Sequence, residues 1–125
     1  MYKLSIIILG IIMMGIIFLF SSYDATISSL QSQYITNFIN KIIPIESSVV
    51  RDLAHFGLFF MLELIVYIGM KICAVKRPEL YSVIFVSMFA ITDELHQYFV
   101  PGRSCQVHDV ILDICGSLCA LLIIK

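Results

Sequence analysis

Charge is scarce in this sequence. Only 14% of the 125 residues are Asp, Glu, Lys or Arg, where a soluble domain carries roughly a quarter. The eight basic and nine acidic residues leave a formal charge of −1, and the basic ones are scattered singly or in small groups. No stripe exists on which a nucleic-acid backbone could lie, which excludes nucleic acid as a partner. Catalytic signatures are missing as well: there is no Gly-rich phosphate loop, no H-E-x-x-H, no paired C-x-x-C and no G-x-S-x-G. Internal repeats are absent, and one domain over residues 1–125 is the simplest organisation. The four cysteines suggest no disulfide. Cys73, Cys115 and Cys119 lie in or at the ends of apolar runs and Cys105 stands alone in a loop. Cys115 and Cys119, one helical turn apart, are poorly placed for a bridge and read as small packing residues.

What the chain has in abundance is apolar length. Hydrophobic residues make up 60% of it and the mean hydropathy is +0.99, which excludes a soluble monomer. A membrane helix needs about 20 mostly apolar residues, so the length allows roughly four spans. The expected fold is an all-α integral membrane bundle of four transmembrane helices with short loops. The spans cover about 4–20, 53–73, 81–100 and 107–124. The first run is too long for a signal peptide's apolar core and lacks an A-x-A cleavage site, so an uncleaved span is expected. The Ser/Gln/Asn-rich segment 24–48 carries Ile35, Phe38, Ile39, Ile42 and Ile43 at helical spacing, an interfacial helix between spans one and two that Pro44 breaks. Four spans put both termini on one side. Lys3, Lys71, Lys76, Arg77 and Lys125 share that face against Lys41, Arg51 and Arg103 on the other, so the positive-inside rule makes the termini cytoplasmic in the cell membrane.

This topology gathers the polar residues at the extracytoplasmic ends of the spans. At 1.5 Å per residue, Asp93 lies about 9 Å inward of Phe99, Asp113 about 10 Å inward of Gln106, and His55 about 6 Å inward of Arg51, which makes one layer. An ionised Asp at mid-helix costs about 2.5–3.5 kcal/mol on insertion. Asp93, Glu94, Asp109 and Asp113 face only Arg51, Arg103 and two histidines. Protonation, imidazolium, a bound metal or a cationic ligand group must balance them. The competing reading is a structural lattice of ion pairs that ties the helices together. Other features have plainer readings. Glu63, about 12 Å below His55, is expected as a carboxyl hydrogen-bonded to a neighbouring helix. His108 is expected as a solvated interface residue, Gly116 and Ala120 as a close helix contact, and Ser21 and Ser22 as caps on the carbonyls of span one. Phe56, Phe59 and Phe60 read as packing or lipid-facing residues.

The segments Arg51-Asp52-Leu53-Ala54-His55-Phe56, Asp93-Glu94-Leu95-His96-Gln97-Tyr98-Phe99-Val100-Pro101-Gly102-Arg103 and Asp109 through Gly116, with Phe20-Ser21-Ser22 upstream, resemble the VanZ family. The resemblance covers nearly the whole chain in order, and its D-E-x-H-Q-x-F-x-P-G-R block is long and specific. It implies a small multi-span membrane protein linked to glycopeptide resistance, with raised tolerance of teicoplanin and little effect on vancomycin. It marks Ser21, Ser22, Arg51, His55, Asp93, Glu94, His96, Gln97, Arg103 and Asp109, which largely coincide with the layer found from spacing. The chain departs from the family pattern at Tyr23 (commonly Gln), Asp52 (frequently Lys), Phe59 (usually Tyr) and Asp113 (typically Asn). The last adds a fourth carboxylate to the layer, and we count Asp113 among the ligand-binding candidates.

Three functions compete. In the leading one, the outer pocket binds a lipid-linked or lipophilic molecule, such as a lipid-linked cell-wall precursor or a lipophilic glycopeptide. Arg51 and Arg103 would grip a phosphate or carboxylate. In the second, the protein is a membrane enzyme that modifies an envelope lipid or a cell-wall precursor. Asp93, Glu94, His96 and Asp109 would then be acid/base groups or ligands of a divalent metal such as Mg, Mn or Zn. The third is a proton or ion pathway through Glu63. Membrane lipids are the expected partners, and a thin four-span bundle is suited to self-association as a homo-oligomer.

Overall fold

Every element is an α-helix. The computed structural model describes residues 2–125 as α1 (Tyr2–Ser21), α2 (Ala25–Ile39), α3 (Ser47–Ile72), α4 (Pro78–Tyr98) and α5 (Val107–Ile124), with no strand among the described residues. The boundaries follow local chemistry. Asp24 caps α2 by accepting the Ile27 backbone N–H at 2.9 Å. Pro78 opens α4 at the one place where a missing N–H costs no helical bond. Three helices, α1, α3 and α5, are long and apolar enough to cross a membrane, the mark of a multi-pass membrane protein.

Two boundaries differ from the apolar runs that suggested them. α3 begins at Ser47 rather than at Leu53, because helical geometry continues through the polar residues up to Asp52, so Arg51 and Asp52 are helical. α2, expected as an interfacial helix running to Pro44, ends at Ile39, which leaves Ile42 and Ile43 in the turn that follows. There Asn40 Oδ1 accepts the Ile45 N–H at 2.6 Å.

α3 is the central helix and touches each of the other four. Its apolar contacts are few: Ile17, Phe59, Leu62, Val86 and Ala90 form the buried cluster. The arrangement is otherwise inverted relative to a water-soluble domain. Leu, Ile, Phe and Met side chains cover the outside, whereas Glu63, Asp93, Glu94, Gln97, Asp109 and Asp113 are all at most 2% exposed. Charged residues are rarely so buried, and such an inversion suits a protein whose solvent is lipid.

The α3–α5 contact is the closest. A Cβ added at Gly116 would overlap the Phe56 backbone carbonyl, and Ala120 one turn on is fully buried. Cys115 and Cys119 do not pack in this interface. All four cysteines are free, Cys115 is exposed and Cys119 half-exposed. One residue corresponds to about 100° of helix, so when Gly116 and Ala120 face α3 their neighbours at 115 and 119 turn toward the outside.

Candidate functional site

The polar layer is built at the end of the bundle where α1 and α4 finish and α3 and α5 begin. Its best-connected part starts from Ser21, the last residue of α1. Ser21 does not cap its own helix: its Oγ donates to Asp93 Oδ2 at 2.6 Å. Capping falls to Ser22 alone, whose Oγ donates to the Phe18 carbonyl at 2.7 Å. Gln97 Nε2 donates to Ser21 Oγ at 3.1 Å and to Asp93 Oδ2 at 3.2 Å, while Gln97 Oε1 accepts from Arg103 Nη2 at 2.6 Å. One chain of bonds therefore couples α1, α4 and the α4–α5 loop.

That loop is held in shape by Gly102. Its φ of +74° is costly for any residue with a Cβ, and a Cβ there would sit 3.0 Å from Ala25 Cβ. The Ala25 N–H donates to the Pro101 carbonyl at 3.3 Å, which seats the loop on the start of α2 and carries Arg103 toward Ser28, whose Oγ accepts from Nη1 at 3.4 Å. Burial, and after it the neighbouring Arg51, pushes the Arg103 guanidinium below its usual pKa, against the pull of Glu94, Asp109 and Asp93. It keeps its charge at neutral pH all the same.

α3 and α5 supply the rest. His55 Nδ1 lies 3.1 Å from Asp113 Oδ1, and Arg51 Nη2 lies 3.8 Å from Asp109 Oδ2. Glu94 Oε1 accepts the Gln106 backbone N–H at 2.6 Å and so anchors the start of α5. Each of the four carboxylates nevertheless keeps one buried oxygen without a hydrogen bond: Asp93 Oδ1, Glu94 Oε2, Asp109 Oδ1 and Asp113 Oδ2. Arg51 Nε is a buried donor in the same condition. Glu63, outside the layer, keeps one such oxygen as well.

Ser22 and His96 lie apart. They pair with each other at 3.0 Å on the α1–α4 flank, where the His96 ring stacks on Phe18 with centroids 4.1 Å apart. Neither lines the two cavities described below. The metal-ligand set expected from Asp93, Glu94, His96 and Asp109 is not assembled among the described residues. The group with metal-ligand spacing is instead Asp52, His108 and Asp109 at the rim, whose ligand atoms lie within 4.8 Å of one another. His108 is exposed, as expected, and its Nε2 lies 3.4 Å from Asp52 Oδ2. Glu63 sits outside the layer at mid-bundle, where Ser117 Oγ donates to its Oε2 at 2.7 Å, the neighbouring-helix bond anticipated from its position.

Two cavities meet at this layer. A polar chamber of about 320 Å³ is lined by Ser28, Ser29, Ser32, Ser47, Ser48, Ser104 and Gln106 around Arg51, Gln97, Arg103 and Asp109. An apolar groove of about 1000 Å³ runs between α1, α2 and α3, past Ile17, Leu53, Gly57, Leu58 and Met61, and reaches His55 and Asp93. Ser28, Ser32, Arg51 and Arg103 line both, so the two spaces adjoin. The serines had escaped notice in the sequence. Ser28 and Ser32, four residues apart on one face of α2, were the available signal.

The VanZ/LLP1 family model matches residues 6–125. No curated protein and no solved structure matches the chain. The family match takes in α2 to α5, most of α1 and both segments that carry the arginines of the chamber. The chain belongs to the VanZ/LLP1 family.

Proposed function

We propose that the protein is a four-span membrane protein whose outward-facing polar chamber binds a lipid-linked or lipophilic ligand. Through that ligand it alters how a lipoglycopeptide such as teicoplanin anchors or reaches its target. The observation that carries this reading is that an arginine-containing polar chamber and an apolar groove share a wall, an arrangement suited to a molecule with one polar and one greasy end. α4 serves as the fourth span. It is 21 residues long, about 31 Å at helical rise. Ser82, Asp93, Glu94 and Gln97 are buried against its neighbours, while Leu80, Ile84, Met88, Ile91 and Leu95 make an exposed apolar stripe for lipid. The excess of basic residues at the opposite end supports cytoplasmic termini.

Native cysteines test the orientation. A membrane-impermeant maleimide added to intact cells is expected to label Cys105, in the exposed α4–α5 loop, and to spare Cys73 at the other end of α3. Cys105→Ser and Cys73→Ser variants assign the adduct. Labelling of Cys73 alone would reverse the orientation and sink the outward-facing chamber.

The function itself is read by susceptibility. A sensitive host expressing the wild-type chain is expected to tolerate teicoplanin selectively over vancomycin, and Asp93→Asn and Arg103→Ala are expected to lose that tolerance at equal membrane abundance. A well-expressed wild type without tolerance would overturn the resistance role. A second reading, a metal-dependent enzyme acting on an envelope lipid or cell-wall precursor, draws support from the rim group Asp52, His108 and Asp109. Metal-stripped protein that retains its effect would remove that version.

A further inference from the structure

Resting on the ligand-binding reading above, we infer that the ligand is a phosphate-bearing amphiphile, with its phosphate between Arg51 and Arg103 in the polar chamber and its hydrocarbon chain in the groove between α1, α2 and α3. Several observations converge on phosphate rather than carboxylate. A carboxylate is flat and is satisfied by one forked guanidinium, whereas a tetrahedral phosphate wants donors from several directions. The chamber offers such a set. Arg51 arrives from α3, Arg103 from the α4–α5 loop, and hydroxyls from α2 and from the first residues of α3.

Ser29 and Ser32 donate their hydroxyl protons to the Thr26 and Ser28 carbonyls, so the donors left to a ligand are chiefly Arg51 and Ser28, beside Arg103. Arg51 Nε has no partner, and its contact with Asp109, at 3.8 Å, is an ion pair beyond hydrogen-bond range. Ser28 Oγ accepts from Arg103 and keeps its own proton to donate. Ser47 and Ser48 open α3; Ser48 Oγ is taken up by Glu46 Oε2 at 3.4 Å, while the first N–H groups of the helix receive no side-chain cap. The two guanidinium groups that face the chamber repel each other, an effect that Asp109 in the same wall offsets in part and a phosphate between them would offset further.

The groove fixes the other end of the molecule. It adjoins the chamber at Arg51 and Arg103, its walls are mainly aliphatic and aromatic, and it passes Gly57, where an added Cβ meets nothing within 4 Å. A side chain at 57 would therefore fill space now open to a hydrocarbon chain. Leucine is also a better helix former than glycine, so Gly57→Leu is expected to fold at least as well as the wild type.

Native mass spectrometry of the purified full chain in detergent, titrated with four probes, tests the assignment. The probes are dioleoyl phosphatidic acid, a polyprenyl phosphate, oleic acid and inorganic phosphate. At least one phosphate amphiphile is expected to bind, roughly tenfold or more tightly than oleate or inorganic phosphate. The tighter of the two names the source, a glycerophospholipid or a polyprenyl carrier. Gly57→Leu and Arg103→Gln are each expected to weaken it by a similar factor. Since Arg103 also holds Gln97, the groove variant keeps the test sound if the arginine variant misfolds. Oleate binding equal to the phosphate lipids would overturn the phosphate and leave the wider ligand-binding reading intact. Inorganic phosphate binding as tightly as the lipids, or no effect of Gly57→Leu, would overturn the groove as the chain's path. Failure of every amphiphile would overturn both readings.

Discussion

Gly116→Val is expected to unfold or grossly loosen the bundle, lowering the thermal midpoint of the detergent-purified protein by far more than any substitution on the outer surface. The reason lies in what the new Cβ meets. Phe56 presents its backbone carbonyl to that position, and a carbonyl held in the middle of a helix cannot rotate aside as a side chain would. Overpacking against movable neighbours costs about 1–3 kcal/mol, and here α3 and α5 must separate along their length. The same contact holds the two helices that pair His55 with Asp113 and Arg51 with Asp109, so the site is expected to fail with the fold. Gly15→Val is the control, since a Cβ at Gly15 meets nothing within 4 Å. Equal midpoints for the two variants would show that α3 and α5 are not in this close register.

How much of this was legible in the sequence depends on the residue. The layer itself was, because four carboxylates inside apolar runs can be tolerated only if the helices turn them inward, and rise per residue puts Asp93, Asp113 and His55 at similar depth. Asp93, Asp109, Asp113 and His55 all lie where that argument placed them, buried or half-buried at one end of the bundle. The close approach at Gly116 and the hydrogen-bonded Glu63 were legible for the same reason. The start of α3 was not. Apolar runs mark the part of a helix that lipid covers, and residues 47–52 are helical but polar. The serines of the chamber left only a weak signal, the i, i+4 spacing of Ser28 and Ser32, since a polar face on a short helix ordinarily reads as solvated. Only the seating of the Pro101-Gly102 loop on α2 turns Ser28 toward Arg103. Ser22 and His96 illustrate the converse, two residues within the right segments whose helical phase turns them to the α1–α4 flank.

The pair His55–Asp113 carries the other large effect. Asp113 is fully buried, its Oδ1 meets His55 Nδ1 at 3.1 Å and its Oδ2 has no partner. His55→Ala therefore strips the carboxylate of its hydrogen bond without removing it from the bundle. Removing one member of a buried pair costs about 3–5 kcal/mol, most of it the penalty of the group left behind. Asp113→Asn alone is expected to be mild, because an amide of the same shape still reaches the ring and brings no charge. It also restores the residue typical of the family that the sequence resembles. In the double variant the buried group is a neutral amide, for which a missing partner costs only about 1–3 kcal/mol. His55→Ala should thus be clearly less damaging in the Asp113→Asn background, and a double-mutant cycle of unfolding free energies reads that coupling directly. An equal cost in both backgrounds would mean that the carboxylate is balanced by something other than His55, which would direct attention to Arg51, Arg103 or a bound cation.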